Sequence, residues 1–222
     1  YLLPASSQAA PVAPADAGWS EDAWLFESPQ AVDDMLRFGH AVASLGDLDG
    51  DGNADLAVGA PHDGFELPPD ANGTERACVE CGAVFVLFLR ADRTVRASQK
   101  ISATEGGFVP RAGALLDVNS QDRHFGAALA AADVDGDGVT DLAVGFNPAN
   151  SGERGGVWLL YLFANATVKG QSLISNAELS NVPPNAQFGH ALAFLRAGGG
   201  AGGGAGGGGE LVLAVGAPSS TY

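Results

Sequence analysis

FGHAVASLGDLDGDGNADLAVGAP, residues 38–61, decides the fold. It recurs as FGAALAAADVDGDGVTDLAVGFNP at 125–148. A third copy begins FGHALAFL at 188 and ends LVLAVGAP at 218. Downstream, GAVFVLFLRADRTVRASQKIS (82–102) matches GVWLLYLFANATVKGQSLIS (156–175). Self-similarity of this kind marks a repeat architecture, in which each unit is one supersecondary element that buries its faces against its neighbours.

Each full unit holds four short apolar runs. In the first they are 40–45, 55–60, 83–89 and 95–102; in the second, 127–132, 141–146, 157–163 and 168–175. Leu56/Val58 and Leu142/Val144 alternate with small residues, as in a strand with one apolar face. The third run of each unit is almost continuously Val, Leu, Phe, Trp or Tyr, which fits a strand covered on both faces. Turn residues (91–94 and 164–167) separate runs three and four. The Ala-rich run 127–132 is ambiguous alone, and its place in the repeat makes it a strand. Four antiparallel strands per repeat predict an all-β protein of β-propeller blades. Two full blades and part of a third make an incomplete propeller that this chain does not close alone. The expected divisions are an Ala/Pro-rich segment at 1–37, blades with their connectors at 38–124 and 125–187, and a partial blade at 188–222. A further outer strand is expected at 23–27.

Between runs one and two lie D-L-D-G-D-G-N-A-D (47–55) and D-V-D-G-D-G-V-T-D (133–141). Both fit D-x-D-x-D-G-x-x-D. A hard divalent cation takes six to eight oxygens at about 2.3–2.6 Å. Asp47, Asp49 and Asp51, or Asp133, Asp135 and Asp137, converge if the loop curls, and a glycine at position 6 permits the sharp turn. The position 7 carbonyl (Asn53 or Val139) and the position 9 carboxylate (Asp55 or Asp141) complete the shell. An EF-hand would need Glu at position 12, where Val58 and Val144 stand between strand-like flanks. Magnesium is disfavoured because it keeps several waters. The expectation is about two Ca2+ ions in β-hairpin loops. The third unit replaces this loop with ten Gly and two Ala at 198–209, which cannot chelate and which predicts a mobile segment. A unit that keeps its strands and loses its carboxylates suggests a metal that staples a hairpin and does no chemistry.

Composition narrows the partners. The 222 residues carry 26 Asp+Glu against 11 Lys+Arg, a net charge of −15, and eight of the acidic residues sit in the two loops. No basic patch offsets this charge, which disfavours nucleic acid and anionic membrane surfaces. No apolar run is long enough to span a bilayer as a helix. Residues 1–18 begin at Tyr1 and lack a basic n-region, so they read as a mature terminus or linker. Sequons at Asn72 and Asn165 fall between strand-like runs, where a glycan would stand clear of the fold. Cys78 and Cys81 are the only cysteines. A local disulfide suits the other signs of secretion; reduced thiols and a redox or zinc pair are the alternatives, the last lacking two further ligands.

These residues resemble the FG-GAP repeats of the integrin α-subunit propeller. The Phe-Gly openings at 38, 125 and 188, the aspartate loops and the Gly-Ala-Pro closes at 59–61 and 216–218 carry the likeness, while 145–147 (Gly-Phe-Asn) depart from it. The downstream strands also look like the long FG-GAP modules of large secreted and surface proteins. The resemblance implies a seven-bladed, calcium-bearing, extracellular propeller that binds a protein or glycan, or neighbouring blades of the same protein. It also admits an accessory domain of a secreted phospholipase D-like or polysaccharide-cleaving enzyme, or a repeat of an extracellular filament. No nucleophile, phosphate-loop or zincin motif appears, so no enzyme is expected within these residues. His40 and His190 share one repeat position, which suggests packing; His62 and His124 flank the repeat motifs without a nucleophile at a recognisable spacing. Trp19, Trp24 and Trp158 are expected to be apolar contacts before they are a glycan site, with Trp158 inside a buried strand. The long acidic loop 61–81 is the first candidate for a partner contact.

Overall fold

The computed structural model describes residues 37–67, 76–78, 80–109, 124–146, 155–175, 186–197 and 210–218, all within one compact unit. The expected strand at 23–27, Trp19, Trp24, Asn72 and the 198–209 loop lie outside the described residues.

The first blade consists of β1 (Ala41–Gly46), β2 (Asp55–Ala60), β5 (Ala83–Leu89) and β6 (Val95–Ile101), antiparallel throughout in the order β1-β2-β5-β6. The second repeats it with β7 (Ala128–Ala132), β8 (Asp141–Phe146), β9 (Gly156–Leu162) and β10 (Val168–Ser175). A third hairpin pairs β11 (Ala191–Ala197) with β12 (Glu210–Gly216). The innermost strands β1, β7 and β11 are spatial neighbours in that order. Apart from a small hairpin within the 61–81 segment, the described strands form two four-stranded blades and one two-stranded sheet that do not close a ring, as the repeat predicts.

Alternation puts one set of side chains on each face of a blade. Leu142, Val144, Trp158, Leu160 and Leu162 of the second blade pack into one core with Val84, Val86, Phe88 and Ile101 of the first. The opposite face presents Ala143 and Val157 to Leu192, Phe194, Leu213 and Val215 of the third hairpin. Both third-run strands are buried on both faces, and β9 lies between two inter-blade layers. Each fully buried Leu, Val or Phe stabilises by roughly 1.5–3 kcal/mol.

The Phe-Gly and Gly-Ala-Pro motifs owe their spacing to the blade seams. Within each repeat the Phe-Gly glycine N–H donates to the carbonyl of the closing glycine: Gly39 to Gly59, Gly126 to Gly145 and Gly189 to Gly216, at 3.0–3.1 Å. The next blade then lays its Phe-Gly backbone onto that same closing glycine. A Cβ on Gly59 would overlap the carbonyl of Gly126, and one on Gly145 would overlap that of Gly189. Gly126 itself has φ 92, a left-handed conformation that side chains rarely adopt. The phenylalanines follow the seams: Phe125 is 1% exposed and stacks on Phe108 at 4.9 Å, Phe188 is buried, and Phe38 is 40% exposed. Phe108 carried no periodic signal, since it lies in a connector outside any strand.

Two expectations change. The segment 61–81 contains a small hairpin, β3 (Phe65–Leu67) with β4 (Arg76–Cys78), where a continuous loop is expected. Strands of three residues are too short for alternation to register. His40 and His190 are exposed, so their shared position is not a packing site. What repeats there is a turn: the N–H groups of His40, Ala127 and His190 donate to the carbonyls of Arg37, His124 and Gln187, each at 3.1 Å.

Substituting Gly145→Ala should destabilise the protein by several kcal/mol or prevent folding, because backbone on both sides of the seam must move. Gly170→Ala, where the nearest atoms are 3.5 Å away, should stay within about 1 kcal/mol. Urea unfolding of both variants checks this.

Candidate metal centre

The two aspartate loops join β1 to β2 and β7 to β8, at the same place in each blade. Each curls around its own first carboxylate. Gly52 N–H donates to Asp47 Oδ2 at 2.9 Å, and Gly138 N–H to Asp133 Oδ2 at 3.0 Å. These position 6 glycines have φ 89 and 88, which only glycine adopts readily. Asp51 N–H donates to Asp49 Oδ1 and Asp137 N–H to Asp135 Oδ1, so successive Asx turns wind the backbone inward. Leu48, second in its loop, is buried in the main core and ties the loop to the blade.

The ninth residue is the best anchored. Asp55 is fully buried, and its two oxygens accept from Leu48 N–H and Leu89 N–H, both at 3.0 Å. Asp141 repeats the arrangement with Val134 at 2.9 Å and Leu162 at 3.0 Å. One carboxylate therefore joins the loop to the end of the third strand of its blade. Burial pushes both groups above the ordinary 3.8, the two backbone donors oppose this, and neighbouring aspartates add to it.

Asp47, Asp49 and Asp55 each bring an oxygen to within 4.8 Å of the others, as do Asp133, Asp135 and Asp141. Each set is able to coordinate a metal ion through hard oxygen donors. The position 5 residues stand outside these triads. Asp51 accepts from Asn53 N–H at 2.8 Å and faces Arg96 at 3.5 Å. Asp137 accepts from Val139 N–H at 2.9 Å and contacts Lys169, which holds its carboxyl below the usual range. Asn53 is half-buried, and Val139 packs against the main core.

Arg96 and Lys169 were missed in the sequence. Each is the second residue of the fourth strand and reaches the aspartate loop of its own blade, Arg96 contacting Asp49 and Lys169 lying 3.0 Å from Asp135. Their shared place in Thr-Val-Arg (94–96) and Thr-Val-Lys (167–169) was the available signal. Four carboxylates against one cation leave three negative charges in excess per loop, and a divalent ion would remove two.

Cys78 and Cys81 form a disulfide, with Cα atoms 5.7 Å apart. Asn165 is exposed in the turn between β9 and β10, where its side-chain oxygen accepts from Thr167 N–H and Oγ1–H at 3.1 and 2.7 Å. Among the described residues no helix is long and apolar enough to cross a membrane.

The FG-GAP repeat family model matches residues 38–75 and 125–160, which contain both aspartate loops. The chain is 36% identical over 115 residues to Integrin alpha pat-2 of Caenorhabditis briggsae, covering 51% of this chain and 7% of that protein. It is 34% identical over 110 residues to Integrin alpha-PS2 of Drosophila melanogaster (49% and 6%). With Integrin alpha pat-2 of Caenorhabditis elegans the figure is 32% over 150 residues (67% and 10%). The chain thus spans a small fraction of these relatives, 6–10% of their length. The likeness is that of FG-GAP, integrin-like propeller blades.

Asp141→Ala should cost about 2–5 kcal/mol even in a chelator, because it strands two backbone N–H donors. Asp137→Ala, whose contacts are exposed, should cost under about 1 kcal/mol there. Chemical denaturation in EDTA separates the two.

Proposed function

We propose that these blades are stapled by calcium, one ion per aspartate loop, and form part of an extracellular, non-catalytic propeller of the integrin-α type that serves adhesion to a protein or glycan. The observation that carries this reading is the pair of carboxylate triads at one place in both blades. The donors are all oxygens on loops able to adjust, which suits Ca2+ better than Mg2+, whose octahedron is tighter, or Zn2+, which favours nitrogen and sulfur. Asp47, Asp49, Asp51 and Asp55 would hold one ion with the Asn53 carbonyl. Asp133, Asp135, Asp137 and Asp141 would hold the other with that of Val139. Bound calcium supplies the charge that lets four carboxylates share one loop; the chain supplies the curl, the buried anchor and the link to the third strand.

An extracellular setting is supported by the calcium loops, the disulfide, the Asn165 sequon and the integrin relatives. On this reading the chain divides at residues 38, 125 and 188, and the partner is an extracellular macromolecule or the neighbouring blades. Asn165, and Asn72 by its sequence alone, are glycan acceptors.

Calorimetric titration should find about two calcium ions per chain, falling to one in Asp49→Ala. Two ions remaining in that variant would overturn the assignment. Arg96→Gln should tighten its site several-fold, most at low salt, since a competing charge is removed. At a hundred times the dissociation constant each site should add about 2.7 kcal/mol of stability.

The pH dependence has a definite sign. Asp55 and Asp141 have raised values, so without bound calcium they favour the folded state at low pH, and that contribution is lost as pH rises through them. Calcium needs the carboxylates. The calcium-dependent gain in Tm should therefore be full at neutral pH and fall on acidification, starting above pH 3.8.

A further inference from the structure

His62, Glu80 and His124 come from three separate stretches and meet at the seam between the first two blades. His62 follows the Gly-Ala-Pro close, Glu80 lies between the bridged cysteines, and His124 precedes the second Phe-Gly. His62 Nδ1 is 3.4 Å from Glu80 Oε1, and His124 Nε2 is 3.4 Å from Glu80 Oε2. The imidazole rings are stacked, 4.6 Å apart and 2° from parallel. A ligand atom from each of the three residues falls within 4.8 Å of the others.

We propose that His62, Glu80 and His124 form a zinc-type metal site, separate from the calcium loops, that clasps the first blade to the second. Two imidazoles and one carboxylate are a donor set for Zn2+, with a fourth position left for water or a partner's group. Calcium would refuse the two nitrogens, so the site is chemically orthogonal to the aspartate loops. A tetrahedron with bonds of about 2.0–2.1 Å has edges of about 3.3–3.4 Å, and each imidazole nitrogen lies 3.4 Å from a different oxygen of Glu80, so one oxygen would move to serve both. The stacked rings must turn about χ2 for both to face one ion, and that torsion is soft.

The backbone beneath is fixed. Asp63 N–H donates to Ala60 O at 3.0 Å and Gly82 N–H to Asp63 O at 2.8 Å, which sets the chain on either side of His62 and Glu80. His124 N–H donates to Glu80 O at 3.1 Å and Phe125 N–H to Cys81 O at 3.0 Å. The disulfide ties Cys78 to Cys81 on either side of Glu80, whose φ is 56. Such support positions ligands before the ion arrives.

Nor does the fold require these residues. At the repeat position of His62 the second unit has Ala149, and at that of His124 the third unit has Gln187. Gln187 adopts the same φ of 50 as His124, so the turn forms without an imidazole.

The test is equilibrium dialysis against zinc in saturating calcium, which fills the aspartate loops, with metal content read by mass spectrometry. Wild type should retain one zinc per chain. Glu80→Gln and His124→Gln should retain none while keeping the wild-type calcium count, which also shows that they fold. Cobalt in place of zinc should give the intense visible band of a four-coordinate ion. No zinc on wild type, or undiminished zinc on Glu80→Gln, would overturn the proposal and leave the calcium reading untouched.

Discussion

A buried carboxylate between two backbone N–H donors holds each blade together. Asp55 joins the loop at Leu48 to the end of β5 at Leu89, and Asp141 joins Val134 to Leu162 in the same way. Asp47 and Asp49, or Asp133 and Asp135, bring their oxygens within 4.8 Å of this buried carboxylate. Like charges at such distances repel strongly where water is partly excluded. Arg96 and Lys169 offset one charge each. The balance left over is what a divalent ion is suited to neutralise, and an ion held there would bear on β1, β2 and β5 together through a single side chain.

A second constraint acts between blades. Each closing glycine accepts a hydrogen bond from its own Phe-Gly, and Gly59 and Gly145 also lie under the Phe-Gly backbone of the next blade. The motif is thus one contact read twice, once within a blade and once across a seam. The degenerate close at Gly145-Phe146 keeps the glycine and changes its neighbours, and the seam to Gly189 survives. The His62–Glu80–His124 cluster lies beside the first seam and follows another logic, since it links blades while the aspartate loops act within them.

Much of this was legible in the repeat. β2, β5, β8 and β10 coincide with the runs at 55–60, 83–89, 141–146 and 168–175, and the other four blade strands differ by a residue at one or both ends. Strands buried on both faces leave continuous apolar runs, and paired copies resolve an ambiguous one such as 127–132. Convergence of positions 1, 3 and 9 was legible because a short loop fixes it. The turning of Asp51 and Asp137 toward a strand cation was not, since Arg96 is 47 residues from Asp49. The meeting of His62 with His124 was hidden for the same reason: nothing local links residues across a seam. The β3–β4 hairpin was hidden because three-residue strands carry too little pattern.

Hydrogen-exchange mass spectrometry with and without calcium tests the staple directly, because the third hairpin is a built-in control. It has the same strands and a glycine loop in place of the aspartates. The account predicts that calcium slows exchange in β1–β2 and β7–β8, residues 41–60 and 128–146, and leaves β11 and β12 unchanged. Equal protection of all three hairpins, or protection of none, would contradict it.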